Sequence, residues 1–161
     1  MKNSSYFFII LSFSFGLISC QEDGIVFPSI QNAAGSFQVT IDGALFSTKN
    51  VSFTSDNVGI FINAIKLETN ETITLKIVDF NRVRFSFEGE DNIASYIKND
   101  PAPADVWSTI NATSSRGTIE FTDIDFSKNT VSGSFSFIAK HASNGNMKAF
   151  TTGVFVNVPI F

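Results

Sequence analysis

The chain has 161 residues, among them 19 phenylalanines, one cysteine and one histidine, and it carries a formal net charge of −4. A mildly acidic chain with scattered lysines lacks the basic face that phosphate contacts need, which excludes nucleic acid as a partner and a charge-driven grip on anionic lipid. One cysteine forms no intrachain disulfide, and one histidine beside it cannot furnish the usual zinc ligand set, so neither a disulfide scaffold nor a zinc centre is expected.

Lys2 opens the chain as a positive n-region, and Tyr6 to Leu17 follow as a dense apolar stretch broken only by Ser12, Ser14 and Gly16. A bilayer-spanning helix needs ~20 apolar residues, so this stretch reads as a secretory signal. It ends in Leu17-Ile18-Ser19-Cys20, a sequence that resembles a bacterial lipobox: apolar, any, small, cysteine. The resemblance implies cleavage before Cys20 and lipid on its thiol, which also explains a lone cysteine in an exported chain. Two or more acyl chains, at ~0.8 kcal/mol per buried methylene, make such anchoring stable. Gln21-Glu22-Asp23 directly behind it resembles the surface-export signal of Bacteroidota lipoproteins; the plain alternative is a solvated start to a tether. The expected organisation is therefore a signal over 1–19, a lipidated cysteine and tether over 20–35, and one domain over 36–161. Loss of Lys2 with the signal moves the formal charge from −4 to −5. The expected location is the outer membrane, facing the cell surface or the periplasm.

From Ser36 the pattern alternates. Phe37, Val39 and Ile41 face one way while Gln38, Thr40 and Asp42 face the other, as in a half-buried strand. Asp42-Gly43 is a strong two-residue turn, and residues 44–47 return. Further strands are predicted over 50–55, 58–67 and 72–79, and around Val83, Phe85 and Phe87, before the acidic turn Glu88-Gly89-Glu90-Asp91. Residues 93–98 fit either a strand or a short helix. Residues 99–115, with Pro101, Pro103 and a run of Ser, Thr and Asn, read as a long loop around Trp107. Strands resume over 116–123, 130–140 and 147–158, with the turn-rich stretch from His141 to Asn146 before the last. Strands at spacings of roughly 8–12 residues, with turn signals between them, predict an all-β fold. An antiparallel β-sandwich is expected, with a β-barrel-like closed sheet as the alternative.

Gly117-Thr118-Ile119, then Ser132-Gly133-Ser134-Phe135-Ser136-Phe137, then Gly153-Val154-Phe155, give the last third a distinct cadence. Together with the Phe37 to Phe46 stretch, these motifs resemble a family of Bacteroidota lipoproteins known as a domain of unknown function. The resemblance spans roughly residues 36–158. Its motifs concern the fold, so it implies an all-β domain and a lipid-anchored location and carries no catalytic residue over.

Candidate chemistry is sparse. No Gly-x-Ser-x-Gly elbow accompanies His141, which reads as an exposed loop histidine rather than a triad base. Glu88, Glu90 and Asp91 cluster in one turn, and Asp123 and Asp125 sit on one strand or its end; solvated turns account for both groups better than a glycosidase pair or a calcium loop. No catalytic residue, metal ligand or cofactor is assigned. Trp107 and Tyr96 are the candidate ligand-binding residues, because an aromatic ring in a long loop can stack on a sugar or anchor a partner. The expected function is that of a membrane-anchored, non-enzymatic lipoprotein binding a protein or cell-envelope component. The alternative is a carbohydrate-binding module of a surface glycan system.

Overall fold

A computed structural model describes residues 35–99, 104–112 and 117–161. Cys20 and the segments read above as signal and tether lie outside the described residues. Eleven strands follow in order: β1 (Ser36–Ile41), β2 (Ala44–Thr48), β3 (Val51–Asp56), β4 (Gly59–Lys66), β5 (Glu71–Ile77), β6 (Arg84–Ser86), β7 (Ile93–Lys98), β8 (Asp105–Ser108), β9 (Thr118–Asp125), β10 (Thr130–His141) and β11 (Met147–Pro159). No described helix is long and apolar enough to cross a membrane.

The strands pair antiparallel in one sheet, in the order β2-β1-β11-β10-β8-β7-β5-β4-β3. β9 lies on the first half of β10, and β6 lies on β9. The all-β, antiparallel expectation holds, and the sheet nearly closes into a barrel-like shape. Closure comes from the short link between the two ends of the strand path. The Thr48 hydroxyl on β2 donates to the Ile65 carbonyl on β4 at 2.7 Å. Lower down, Phe53 bridges to Ile160.

Alternation places one row of every strand inside. β5 buries Ile73, Leu75 and Ile77, and β10 buries Val131, Phe135, Phe137 and Ala139. The Asp42-Gly43 turn forms as read, with φ of 48° and 89°, the double positive φ of a type I′ hairpin. Two cross-strand pairs carry part of the aromatic filling between β10 and β11. Gly133 faces Phe155, and Phe135 faces Gly153. Each ring lies over the opposing glycine, where a Cβ would come within 2.4 Å of Phe155 and 2.6 Å of Phe135. The glycines are therefore the holes into which the rings fit. Phe137 stacks on Phe150 at 4.1 Å between centroids and continues the same filling upward.

Two expectations need correction. The stretch read as a long loop around Trp107 contains β8 and a 3₁₀ turn over Thr109–Asn111. Trp107 sits on a strand, bridging β7 and β10. His141 is the last residue of β10 and is buried, not exposed in a loop. It stays in phase with Phe135, Phe137 and Ala139, so the inward row carries it into the interior. The 93–98 segment resolves as strand β7.

Candidate functional site

Along several strands the inward row changes character at one end of the barrel. Ile62 and Ala64 on β4 lead to Lys66; Leu75 and Ile73 on β5 lead to Glu71; Ala94 and Tyr96 on β7 lead to Lys98. On β8, Trp107 is buried and Asp105, two residues earlier, is exposed. Register makes these ends direct neighbours: Lys66 opposite Glu71, Glu71 opposite Lys98, and Lys98 opposite Asp105. The result is a row of alternating charge across four strands at ~4.8 Å per strand.

The row borders a cleft of about 500 Å³ between the β1–β2 hairpin and strands β4, β5, β7 and β8, with Leu45 and Phe46 on the hairpin side. The cleft is the mouth of the barrel. Tyr96 and Trp107 form part of its lining, opposite one another in register and 5.4 Å apart between ring centroids. The two residues singled out from sequence are thus brought together, on strands rather than a loop. Trp107 is only 8% exposed. His141 meets its ring edge-on at 4.7 Å, and the Lys148 ammonium lies 4.9 Å from its centroid. The ring is therefore clamped and is no open stacking platform. Among the described residues its indole N–H is the one buried side-chain donor without an acceptor, an arrangement that costs about 1–3 kcal/mol.

The polar groups around these rings hold one another. The Tyr96 hydroxyl and the Thr69 hydroxyl both donate to Glu71. Burial alone pushes the Glu71 carboxyl up. The two hydroxyls and the charges of Lys66 and Lys98 more than offset that, so it titrates below the ordinary value. Burial, the bond to Glu71 and nearby carboxylates hold the Tyr96 phenol well above its usual range. Asp42, at the hairpin tip, accepts the Ala149 amide at 2.9 Å and the Lys148 ammonium at 3.2 Å. The backbone bond above all, and then Lys148, lowers its carboxyl against a modest opposing effect of burial. Lys66 and Lys98 are different. Among the described residues they form no ion pair within 4.0 Å, and Lys66 only overlooks the Phe46 ring at 5.8 Å.

His141 has an Asp105 partner at 3.2 Å on Nε2. Its Nδ1 accepts the amides of Ser143 and Asn144, both at 3.2 Å. Nδ1 is thus without a proton in the neutral ring, and Nε2–H donates to Asp105. Both nitrogens are spent on structure, and no hydroxyl of a described residue bonds to the ring. Among the described residues this histidine–aspartate pair has no bonded nucleophile to activate.

The other carboxylates stay apart from the mouth. Glu88, Glu90 and Asp91 are exposed in their turn. Asp125 caps the β9–β10 turn, accepting from the Ser127 and Lys128 amides at 3.0 Å and pairing with the Lys128 ammonium at 2.8 Å. Lys128 and Ser127 together hold its carboxyl far below the usual range. Among the described residues no group of three or more His, Cys, Asp or Glu is arranged to hold a metal ion.

The charged row was not picked out from sequence, although its signal is there. Lys66, Glu71 and Lys98 each continue an apolar alternation in phase, but only the register shows that they meet. Searches among curated proteins and among solved structures found no match. A family model does match, over residues 33–159, and so covers all eleven strands. The chain belongs to the family described as Domain of unknown function (DUF6252).

Proposed function

We propose that the chain is a lipid-anchored, non-catalytic binding protein of the cell envelope, tethered through Cys20, whose ligand enters the barrel mouth. The observation that carries this reading is the change of the inward rows from apolar to charged beside an open cleft with an aromatic lining. Pockets of this size, largely preformed and with a few convergent polar groups, are the usual form of a ligand site.

Two measurements test the proposal. Cys20→Ser should move the protein from the membrane fraction to the soluble fraction; retention in the membrane removes the anchor. Trp107 is the sole tryptophan, so its fluorescence reports the mouth directly. Titration with envelope fractions should shift its emission, and Tyr96→Ala, with the strand signature in circular dichroism intact, should abolish the shift. A folded protein whose emission responds to no envelope fraction defeats the binding role.

A further inference from the structure

Granted that the mouth is a binding site, we infer that it takes an extended, uncharged peptide segment of a partner protein, added as a further strand on the open edge of β2. The inference rests on a difference among the strands that end the sheet. β3 closes one end of the strand path, and its edge is covered: Phe53 bridges to Ile160, and the Phe161 amide donates to the Phe53 carbonyl at 3.2 Å. β6 ends the branch on β9, spans three residues, and has the Asn92 side-chain amide on its Ser86 carbonyl at 3.1 Å. β2 ends the path on the other side. Among the described residues the one hydrogen bond on its outer side is that of the Thr48 hydroxyl.

From Thr48 back to the hairpin turn, this edge is bare. Antiparallel pairs alternate between those that exchange both backbone bonds and those that exchange none. The pair closing the two-residue turn, Ile41 with Ala44, exchanges both, and so does Val39 with Phe46. Leu45 and Ser47 therefore turn their amides and carbonyls outward, and among the described residues nothing bonds to them. Edges are commonly blunted by charge, proline or a cover. Ala44-Leu45-Phe46-Ser47-Thr48 has neither charge nor proline, and Leu45 is 65% exposed. Ala44, Leu45 and Phe46 line the cleft, so the bare edge and the mouth are one place. Main-chain pairing to such an edge supplies the affinity of an added strand, and contacts to alternate side chains supply its specificity.

Charge decides the kind of segment. The row across the cleft neutralises itself: Lys66 and Lys98 act on Glu71, Lys148 pairs with Asp42, and Asp105 holds His141. It offers a ligand no net charge, so the fitting segment carries none. Phe46 and Tyr96 give its inward side chains an apolar contact.

The test uses the full chain in detergent and the anisotropy of a dye on the heptapeptide Thr-Val-Thr-Val-Thr-Val-Thr, acetylated and amidated. Two further peptides carry N-methyl groups, one on the valines and one on the threonines, which removes the donors along one edge or the other. The heptapeptide should bind, and one methylated form should bind about thirtyfold more weakly than the other, the effect of two lost hydrogen bonds. Equal binding of the two forms overturns main-chain pairing. Leu45→Pro removes an outward amide without touching the β1 ladder, a change that an edge strand tolerates. It should weaken the heptapeptide about fivefold, while Leu45→Ala, which keeps the amide, should retain binding. A heptapeptide indifferent to Leu45→Pro lies elsewhere, and the inference falls. A tenfold gain on replacing two threonines by lysine or by glutamate overturns the uncharged class. A concentration-dependent dimer in sedimentation that Leu45→Pro dissolves makes the occupant a second copy and overturns the foreign segment. No binding of the heptapeptide overturns strand addition, while the broader binding role is judged separately by the envelope fractions.

Discussion

The two ends of the barrel use aromatic residues for different purposes. Away from the mouth the interior is filled by phenylalanine: Phe37 against Phe135 at 4.9 Å, Phe121 against Phe155 at 5.6 Å, and the Phe–Gly pairs of β10 and β11. Phenylalanine brings apolar area and nothing that needs a hydrogen bond. At the mouth Phe46 is joined by Tyr96, Trp107 and His141, each of these three with a polar atom, and two of the three use it on a carboxylate. The contrast teaches that one strand can serve both purposes. β10 runs from Val131 and Phe135 to His141 without leaving its alternation.

If the far end carries stability and the mouth carries binding, substitutions should separate accordingly. The largest effect is expected for Phe155→Ala, which empties the space above Gly133 and should cost about 4 kcal/mol in denaturant unfolding. A cost near 1 kcal/mol would erase the contrast. Next comes Gly133→Ala, whose new Cβ would meet Glu120 O at 2.3 Å as well as the Phe155 ring. The loss there should be about 3 kcal/mol, and a partly compensating double variant with Phe155→Leu would sharpen the assignment to that ring. Tyr96→Phe, at the mouth, should cost only about 1 kcal/mol, the worth of one hydrogen bond at a half-open site, while weakening ligand binding.

The smallest effect is one of pH. The Glu71 carboxyl titrates below its ordinary value of 4.5 in the folded protein. Its contribution is therefore present above that pH and is lost as pH falls through the folded value. The stability gap between the protein and Glu71→Gln should narrow on acidification from pH 6 to pH 3. A gap that widens instead would mean that the hydroxyls of Tyr96 and Thr69 do not hold the ionised form.

Strands filled by regular alternation were legible in the sequence. Phe37-Val39-Ile41 and Ile73-Leu75-Ile77 each point one way; β5 buries its whole row, and β1 buries Phe37 and Val39 and leaves Ile41 partly exposed at its end. β8 was hidden because four residues, Asp105 to Ser108, offer no alternation: the first is exposed and the last two are both buried. Pro101 and Pro103 just before it added a loop signal. His141 was masked by the Asn and Gly residues that follow it, though its phase with Phe137 and Ala139 gave its direction. Closure of the sheet was illegible for another reason. It depends on the Thr48–Ile65 bond and on β1 lying against β11, pairings between segments that no local pattern connects.

The pairing of β1 with β11 also fixes when the domain can form. Thr40 lies opposite Thr151, so the sheet waits for its last strand before its first can be enclosed. Contacts this far apart in sequence close slowly, because chain entropy is lost before any core is gained. A chain halted before β11 would be left with the Phe-rich face of β10 bare and β1 unpaired on one side, open edges that invite association with other chains. The domain thus cannot complete its sheet before β11 is available, and a chain still lacking that strand needs protection until then.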